Sequence, residues 1–202
     1  MTGYRIANLE LIIDEIGEDK TRKFLSDFSC PMNEDVENFL KYKAIDFSKQ
    51  GWSRTHLVFA SYRELPILVG YFTLANKYIH ISKKGLNSNW KRRLSAFSNS
   101  DNGLNVYVLA APLIAQLGKN YTNGYNKQIT GDELLKMACD KVSFIQMNIG
   151  GRITYLECED KPKLREFYES NGFYCFGQRQ LDADETSTIH GECLLQYFRY
   201  IK

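Results

Sequence analysis

The chain has 202 residues and a mass of 23.4 kDa, the size of one ordinary-to-large domain. With 44% hydrophobic, 13% aromatic and 25% charged residues, the composition excludes disordered and fibrous proteins. No apolar run approaches the roughly 18 residues of a membrane-spanning helix, and Glu10, Asp14 and Glu15 within the first apolar stretch exclude a signal peptide. Five cysteines without a CxxC pair predict free, mostly buried thiols in a cytoplasmic protein.

Charge is unevenly distributed along the chain. The formal net charge is +2, but residues 65–131 hold eight Lys or Arg and a single acid, Asp101, for a net charge of +7. The flanking ranges 1–64 and 132–202 carry net charges of −2 and −3. A long segment that nearly lacks carboxylates predicts a surface for an anionic ligand, either a phosphorylated cofactor or a nucleic acid. A solvated basic face is the alternative.

The first fifty residues have the pattern of helices. Val36, Leu40 and Ala44 recur at helical spacing, and Asn33 is placed to cap the helix that contains them. Gly51 is expected to end this helical stretch.

Two β-rich runs come next in the chain. Residues 55–60 and 67–74 are predicted strands, separated by a hairpin-like break at Glu64-Leu65-Pro66, and residues 78–81 continue the second strand. A polar, basic stretch follows, with a short helix predicted at 91–94.

The second half of the chain alternates strands and helices. Its predicted elements, in order, are a buried strand from Val106 to about Leu117 interrupted at Pro112, a loop at 118–130, a helix at 131–147, a strand at 152–158, a helix at 162–170 stopped by Asn171-Gly172, and strands at 173–178 and 193–201 joined by an acidic turn at 182–185. This order predicts a mixed α/β fold.

The motifs of several common chemistries are absent. His56, His80 and His190 lie far apart and outside ligand spacing, so no metal site is predicted. The G-x-S-x-G motif of serine hydrolases and the phosphate-binding motif G-x-x-x-x-G-K-[ST] do not occur. The carboxylates of residues 157–160 could bind a cation or act as a base, but negative charge before a helix is also favoured structurally.

The strongest local pattern is the strand, Gly/Asn-rich loop and helix that span residues 106–147. Backbone N–H groups at the start of a helix bind anions, and Thr130-Gly131 lets a phosphate approach the main chain closely. Lys119 and Lys127 flank this turn.

A second pattern adds a family resemblance. Phe167-Tyr168-Glu169-x-Asn171-Gly172-Phe173 resembles the (F/L)Y-x-x-x-G-F signature of the GNAT superfamily of N-acetyltransferases. The preceding strand–loop–helix unit resembles that family's acetyl-CoA motif, Q/R-x-x-G-x-G/A, with Asn126, Ile129 and Gly131 at its three positions. The order of segments resembles the subgroup that includes toxin-type GNAT proteins, over roughly residues 20–200.

The resemblance implies a GNAT-like α/β fold. This fold has a mixed central sheet of about six or seven strands, flanked by helices, with a V-shaped splay between two parallel strands where acetyl-CoA lies. It implies one domain over residues 1–202, with N-terminal helices at 1–50, the acetyl-CoA motif at about 106–147 and the C-terminal motif and strands at 152–202.

The implied activity is acetyl-CoA-dependent N-acetyl transfer, in which a primary amine attacks the thioester directly. No metal is implied. The residues implied to bind acetyl-CoA are Leu117, Gly118, Lys119, Lys127, Gln128, Ile129, Thr130, Gly131 and Asp132. Tyr168 matches the family's tyrosine that protonates the leaving thiolate, and Glu157 or Glu159 is the candidate base for the amine.

The acceptor amine is left open by the sequence. A protein, a peptide or a small molecule would each supply one. The cations Lys83, Lys84, Lys91, Arg92 and Arg93, with Trp90 among them, are also compatible with the aminoacyl-tRNA acceptor of toxin-type GNAT proteins. No membrane partner is predicted, and a homodimer is left open.

Two other classes of function remain. Ile129 and Asp132 depart from the acetyl-CoA motif, so a GNAT-fold binding protein with weak catalysis is one alternative. A nucleic-acid-binding module without enzymatic activity is the other, and it would bind RNA in a strongly salt-dependent way.

Overall fold

The computed structural model describes residues 3–62, 64–182 and 191–201, and contains seven α-helices and eight strands within them. The α-helices are α1 Leu9–Ile16, α2 Glu18–Leu25, α3 Glu34–Asn38, α4 Ala44–Lys49, α5 Ser88–Ser95, α6 Gly131–Ile149 and α7 Pro162–Ser170. A π-helix, Phe39–Lys43, joins α3 to α4, and a 3-10 helix, Thr122–Gln128, precedes α6. The strands are β1 Arg5–Asn8, β2 Arg54–Tyr62, β3 Leu65–Ser82, β4 Asn99–Asp101, β5 Val106–Lys119, β6 Ile153–Glu159, β7 Tyr174–Gln180 and β8 Cys193–Tyr200.

The chain divides into two compact units. The first consists of Met1–Ala75 and Ile114–Ala138, and the second of Asn76–Leu113 and Cys139–Lys202. Strand order is β1-β2-β3-β5 in the first unit and β3-β5-β6-β8-β7 in the second, where β4 pairs with β5. The single domain expected over residues 1–202 stays a prediction.

Four helices and the π-helix cover the sheet of the first unit. Their buried core residues include Leu9, Leu25, Val36, Phe39, Leu40, Ala44 and Ile45, which pack with Phe28 of the loop after α2 and with Leu57, Leu68 and Tyr71 of the strands. The predicted N-cap of α3 is confirmed, because the Asn33 side chain accepts a hydrogen bond of 3.2 Å from the N–H of Val36. Gly51, with φ of +73°, follows the end of α4 as predicted.

The π-helix is not anticipated by the apolar spacing of residues 36–44. Just before it, the carbonyl of Val36 in α3 accepts a hydrogen bond of 2.6 Å from the hydroxyl of Tyr71, a residue of β3. A side-chain donor inserted into the backbone ladder of a helix perturbs its regular bonding.

Three sequence predictions need correction. The sheet has eight strands, because the short strands β1 and β4 were not predicted. β1 therefore interrupts the expected all-helical N-terminal segment. β5 continues through Pro112 to Lys119, since proline removes only one N–H from the ladder, and the Pro112 carbonyl still accepts a bond of 2.8 Å from Thr154 Oγ1.

The strands of the second unit present two distinct faces. β6 pairs antiparallel with β8, so that Leu156 lies opposite Tyr197 and Glu157 opposite Gln196. Because side chains alternate along a strand, Leu156, Cys158 and Tyr197 share one face. Tyr168 of α7 contacts this face, its ring centroid 5.9 Å from that of Tyr197. We call it the α7 face.

The other face of the second unit carries Tyr155, Glu157, Glu159, Gln196, Phe198 and Tyr200. Trp90 of α5 packs here, with its ring 4.7 Å from that of Phe198, and we call this the α5 face. β5 and β6 are neighbours joined through α6, the strand–helix–strand connection that makes neighbouring strands parallel. The splay expected between them stays a prediction.

No helix in the described residues is long and apolar enough to cross a membrane. All five cysteines are free, and Cys30, Cys139 and Cys158 are buried, as the sequence predicted. His190 and residues 183–185 of the predicted acidic turn lie outside the described residues.

Candidate active site

The end of β5 lies close to β3 and to α3. A Cβ at Gly118 would lie 2.3 Å from Val36 Cγ1, and a Cβ at Gly70 would lie 2.8 Å from the Gly118 carbonyl oxygen. Both distances are too short for a Cβ atom. Glycine at position 70 therefore allows β3 to approach β5, and glycine at position 118 allows α3 to approach β5. Gly118 therefore has a packing role in the first unit, whatever it contributes to ligand binding.

Asn120, immediately after β5, organises the turn that leaves the strand. Its side-chain oxygen accepts hydrogen bonds from the N–H groups of Ser29 (3.2 Å) and Thr122 (3.1 Å), and its amide nitrogen donates to the Leu68 carbonyl (2.9 Å). Its own N–H donates to the Val69 carbonyl at 2.8 Å. Asn120 is not among the residues predicted from the sequence, where its one signal is an asparagine directly after the end of a buried strand.

The loop between β5 and α6 is held by donors from outside it. Lys119 Nζ donates to the carbonyls of Asn126 (3.1 Å) and Ile129 (3.2 Å), and the Tyr4 hydroxyl donates to the Gln128 carbonyl (2.9 Å). Lys119 is therefore part of the loop's framework, whereas the Lys127 side chain is exposed.

The start of α6 is a capping box. Thr130 Oγ1 accepts a hydrogen bond of 3.1 Å from the N–H of Glu133. Glu133 Oε2 in turn accepts bonds of 2.8 Å from both the N–H and the hydroxyl of Thr130. These bonds from Thr130, the backbone N–H first, lower the pKa of Glu133. A carboxylate thus sits on the turn where the sequence analysis places a phosphate.

The two motif departures occupy different environments. Ile129 is buried, with 3% of its surface exposed and an extended backbone (φ −147°, ψ 141°). Its side chain therefore packs inward and does not cover the turn. Asp132 is exposed on the first turn of α6, next to Gly131. Of the two, only Asp132 adds charge at the surface of the turn.

Tyr168 lies near the end of α7, whose predicted bounds Pro162–Ser170 are confirmed. The side chain is 9% exposed, and its ring lies 5.9 Å from that of Phe173. Burial, with a smaller contribution from Cys158, raises the pKa of Tyr168 well above 10. No other described residue hydrogen-bonds to its hydroxyl. The hydroxyl is therefore protonated at neutral pH and available to donate.

Tyr168 has a thiol neighbour on the α7 face. Burial first, and then Cys175, raises the pKa of Cys158 to about 12. Both groups are therefore neutral at pH 7, and neither supplies a charge to the other.

The two candidate bases lie on the α5 face and are ion-paired. Glu157 accepts hydrogen bonds from Arg179 Nε (2.7 Å) and from Gln196 Nε2 (2.9 Å), one on each oxygen. Glu159 is 9% exposed and pairs with Lys161 Nζ at 2.7 Å. The strand thus places both carboxylates on the face opposite the ring contacts of Tyr168.

The third carboxylate of this segment, Asp160, forms a bidentate pair with Arg165 at 2.6 and 2.7 Å, which lowers its pKa. Each carboxylate of the segment thus has a Lys or Arg partner. Within the described ranges, no group of three or more His, Cys, Asp or Glu is placed to hold a metal ion.

The basic segment forms the predicted short helix, α5. Its N-cap is Asn87, whose side chain accepts a bond of 2.9 Å from the N–H of Trp90. The Arg93 guanidinium lies 5.3 Å from the Trp90 ring centroid and 5.6 Å from that of Tyr200. Lys91 and Arg92 are exposed on the same helix.

Comparison of the sequence with models of known families, and with curated proteins, finds no match. Solved structures do match. A tyrosine-to-phenylalanine mutant of KacT superposes with a TM-score of 0.62 at 15% identity, over 100% of this chain and 96% of that chain. AtaT complexed with acetyl-methionyl-tRNAfMet gives a TM-score of 0.61 at 17% identity, over 96% and 94% of the two chains.

A mutant of the AtaT toxin bound to acetyl-CoA and the C-terminus of the antitoxin AtaR gives a TM-score of 0.54 at 15% identity, over 88% of this chain and 85% of that chain. Strand β5, the capped start of α6 and helix α7 are the elements that carry the two family-like motifs of the sequence. The chain therefore has the mixed α/β GNAT fold, which it shares with AtaT and KacT.

Proposed function

We propose that the protein is an acetyl-CoA-dependent N-acetyltransferase. The observation that carries this proposal is a GNAT fold that retains, on α7, a buried tyrosine whose hydroxyl is protonated and without a partner among the described residues. The structural neighbour AtaT has been solved with acetyl-CoA, which supports the same co-substrate here. A cytoplasmic location, where acetyl-CoA is available, is part of this proposal.

The proposed acetyl-CoA contacts lie in the first unit. The backbone at the end of β5, around Leu117 and Lys119, would pair with the pantetheine arm as an added strand does. The N–H groups at the start of α6 and the exposed ammonium of Lys127 suit the diphosphate. Glu133 and Asp132 oppose a diphosphate electrostatically, so we expect the affinity to be set by the balance between these charges.

The proposed chemistry is direct attack of a neutral amine on the thioester carbonyl. Main-chain N–H groups polarise such a carbonyl. The carbon–sulfur bond then breaks, and Tyr168 donates its proton to the departing thiolate, so that no free thiolate is released. The tyrosine recovers its proton from solvent after the products leave.

The amine must lose a proton to a base. Glu157 would have to release both Arg179 and Gln196 before it could accept a proton. Glu159 pairs with Lys161, whose side chain is 47% exposed, and such a half-exposed partner is exchanged for water at little cost. We therefore propose Glu159 as the base.

For the acceptor, we propose aminoacyl-tRNA. The support is the AtaT complex with acetyl-methionyl-tRNAfMet, together with a net charge of +7 over residues 65–131 and the exposed cations of α5. A protein or small-molecule amine would not require this charge. A GNAT-fold binding protein with weak catalysis is the alternative favoured by the carboxylate of Glu133.

The experiment is calorimetric titration of the purified protein with acetyl-CoA and, separately, with CoA. We expect micromolar binding of acetyl-CoA, followed by transfer of labelled acetyl groups to aminoacyl-tRNA in preference to peptides and polyamines. No binding at millimolar acetyl-CoA would overturn the enzyme proposal. Binding followed by transfer to peptides alone would overturn the proposed acceptor.

A further inference from the structure

A basic pocket of about 450 Å³ lies on the α5 face of the second unit. It is lined by Arg92, Arg93, Ala96 and Phe97 of the α5 region, by Arg152 just before β6, and by Tyr200 at the end of β8. Three arginines that are separated in sequence thus meet around one concave surface.

The three arginines have no acidic partner in the described part of the chain. Four other arginines, Arg22, Arg54, Arg165 and Arg179, pair with carboxylates. Arg92 donates only to the neutral side chain of Asn89, at 3.2 Å. A cluster of cations without carboxylates repels itself, and an anionic ligand relieves that repulsion.

Two aromatic side chains, Phe97 and Tyr200, also line the pocket. The Arg93 guanidinium packs on the rings of Trp90 and Tyr200, and the Phe97 ring lies 6.2 Å from that of Tyr200. Flat aromatic and guanidinium surfaces stack nucleobases, while arginine forks bind phosphate. An acidic peptide would use the charges but not the rings, so this combination favours a nucleic acid.

The pocket shares a strand and a sheet face with a candidate active-site residue. Tyr200 and Glu159 both lie on the α5 face, and Arg152 precedes β6 whereas Glu159 ends it. Seven residues of extended chain separate Arg152 from Glu159, which corresponds to about 23 Å. This distance suits a strand of several nucleotides that reaches from the pocket to Glu159.

We propose that this pocket binds single-stranded or end regions of an RNA, with phosphates on Arg92 and Arg152 and a base against the rings of Tyr200 and Phe97. The inference deepens the proposed function, because it gives the RNA acceptor a docking surface on the α5 face. RNA binding at the pocket does not itself require acetyl-CoA.

The test is fluorescence anisotropy with two labelled probes, deacylated tRNA and a short single-stranded RNA, over a range of salt concentrations. The variant is Arg92→Ala/Arg152→Ala. We expect it to bind both probes at least tenfold more weakly and to lower the slope of log affinity against log salt by about two, since each phosphate contact contributes about one. Lys20→Ala/Lys43→Ala, which removes the same charge from exposed positions on α2 and the π-helix, is the matched control.

Unchanged RNA affinity and salt slope in the double variant would overturn the inference, as would an equal loss in the control. An acidic peptide that binds the parent as tightly as RNA, and loses affinity in the double variant, would make the pocket a protein site and also overturn it. Acetyl-CoA titration separates the two proposals. If the double variant binds RNA weakly but acetyl-CoA with unchanged affinity, the proposed RNA pocket is supported. If the parent protein binds RNA but not acetyl-CoA, only the proposed enzymatic activity is overturned.

Discussion

The carboxylate of Glu133 accepts a hydrogen bond of 2.8 Å from the backbone N–H of Thr130, at the first turn of α6. In a GNAT fold this turn is the place proposed for the diphosphate of acetyl-CoA, and a helix N-terminus attracts anions through its N–H groups and its dipole. The chain's own carboxylate therefore competes with the proposed ligand for one of these donors.

Replacement of Glu133 by glutamine removes this negative charge but keeps an oxygen that can accept the Thr130 bond. We expect Glu133→Gln to bind acetyl-CoA severalfold more tightly than the parent, measured by calorimetry at low salt, with the difference reduced at high salt. Asp140→Asn, two turns further along α6, also removes one negative charge and is the control. Weaker acetyl-CoA binding by Glu133→Gln would contradict the proposed diphosphate position.

Tyr168→Phe removes the proposed proton donor and leaves the ring packing in place. We expect turnover to fall by a factor of about 10²–10⁴, the usual contribution of a general acid, with little change in acetyl-CoA affinity. Tyr197→Phe is the matched control, because the Tyr197 ring lies 5.9 Å away and its hydroxyl donates to Glu169. Equal turnover in the parent and in Tyr168→Phe would remove the tyrosine from the mechanism.

Alkaline pH should destabilise the fold. Burial raises the pKa of Tyr71, Tyr155 and Tyr168 above the ordinary value of 10. The folded state then binds more protons than the unfolded state, so this stability is complete below about pH 10 and is lost as the pH rises further.

The measurement is the midpoint of thermal unfolding from pH 8 to pH 11. We expect it to fall above pH 10, and to fall less steeply in Tyr155→Phe, which lacks one of the shifted groups. A midpoint that is constant across this range would show that these tyrosines titrate normally.

Gly118→Ala should destabilise the first unit, because the new methyl group would lie 2.3 Å from Val36 Cγ1. We expect a loss of about 1–3 kcal/mol in the free energy of unfolding, the usual cost of overpacking. Val36→Ala frees that space, so the double variant should lose less than the sum of the two single losses. Additive losses in chemical denaturation would show that residues 36 and 118 do not compete for the same volume.

Local patterns in the sequence predict a good part of this fold. Helix α7 begins at Pro162 and ends at Ser170 before Asn171-Gly172, as the sequence indicates, because proline at a first turn and glycine with φ of +76° at a helix end act within a few residues. The start of α6 at Gly131 is predicted for the same reason. The break predicted at Glu64-Leu65-Pro66 is too long, because Leu65 and Pro66 belong to β3 and pair with Tyr62 and Ser61 of β2. The order of these segments is also what makes the GNAT resemblance visible.

Other features depend on contacts between residues far apart in the chain. β1 has only four residues and is a strand because it pairs with β2, with Arg5 opposite Phe59. The hydroxyl of Tyr71 bonds to the carbonyl of Val36, and the turn after β5 contains the bonds of Asn120 to Ser29 and Leu68. No spacing rule reports such pairings, since the partners are separated by dozens of residues.

The candidate sites also combine features that the sequence predicts with features that only the tertiary structure decides. The residue types are readable in the chain, with a tyrosine in a family-like motif, two carboxylates on one strand and cations on a short helix. Folding alone sets their surroundings: burial raises the pKa of Tyr168, Arg179 and Lys161 pair with the two candidate bases, and Arg152 joins Arg92 and Arg93 across sixty residues. Charge, burial and hydrogen bonding are properties of neighbours in space, and these neighbours are set by packing rather than by sequence spacing.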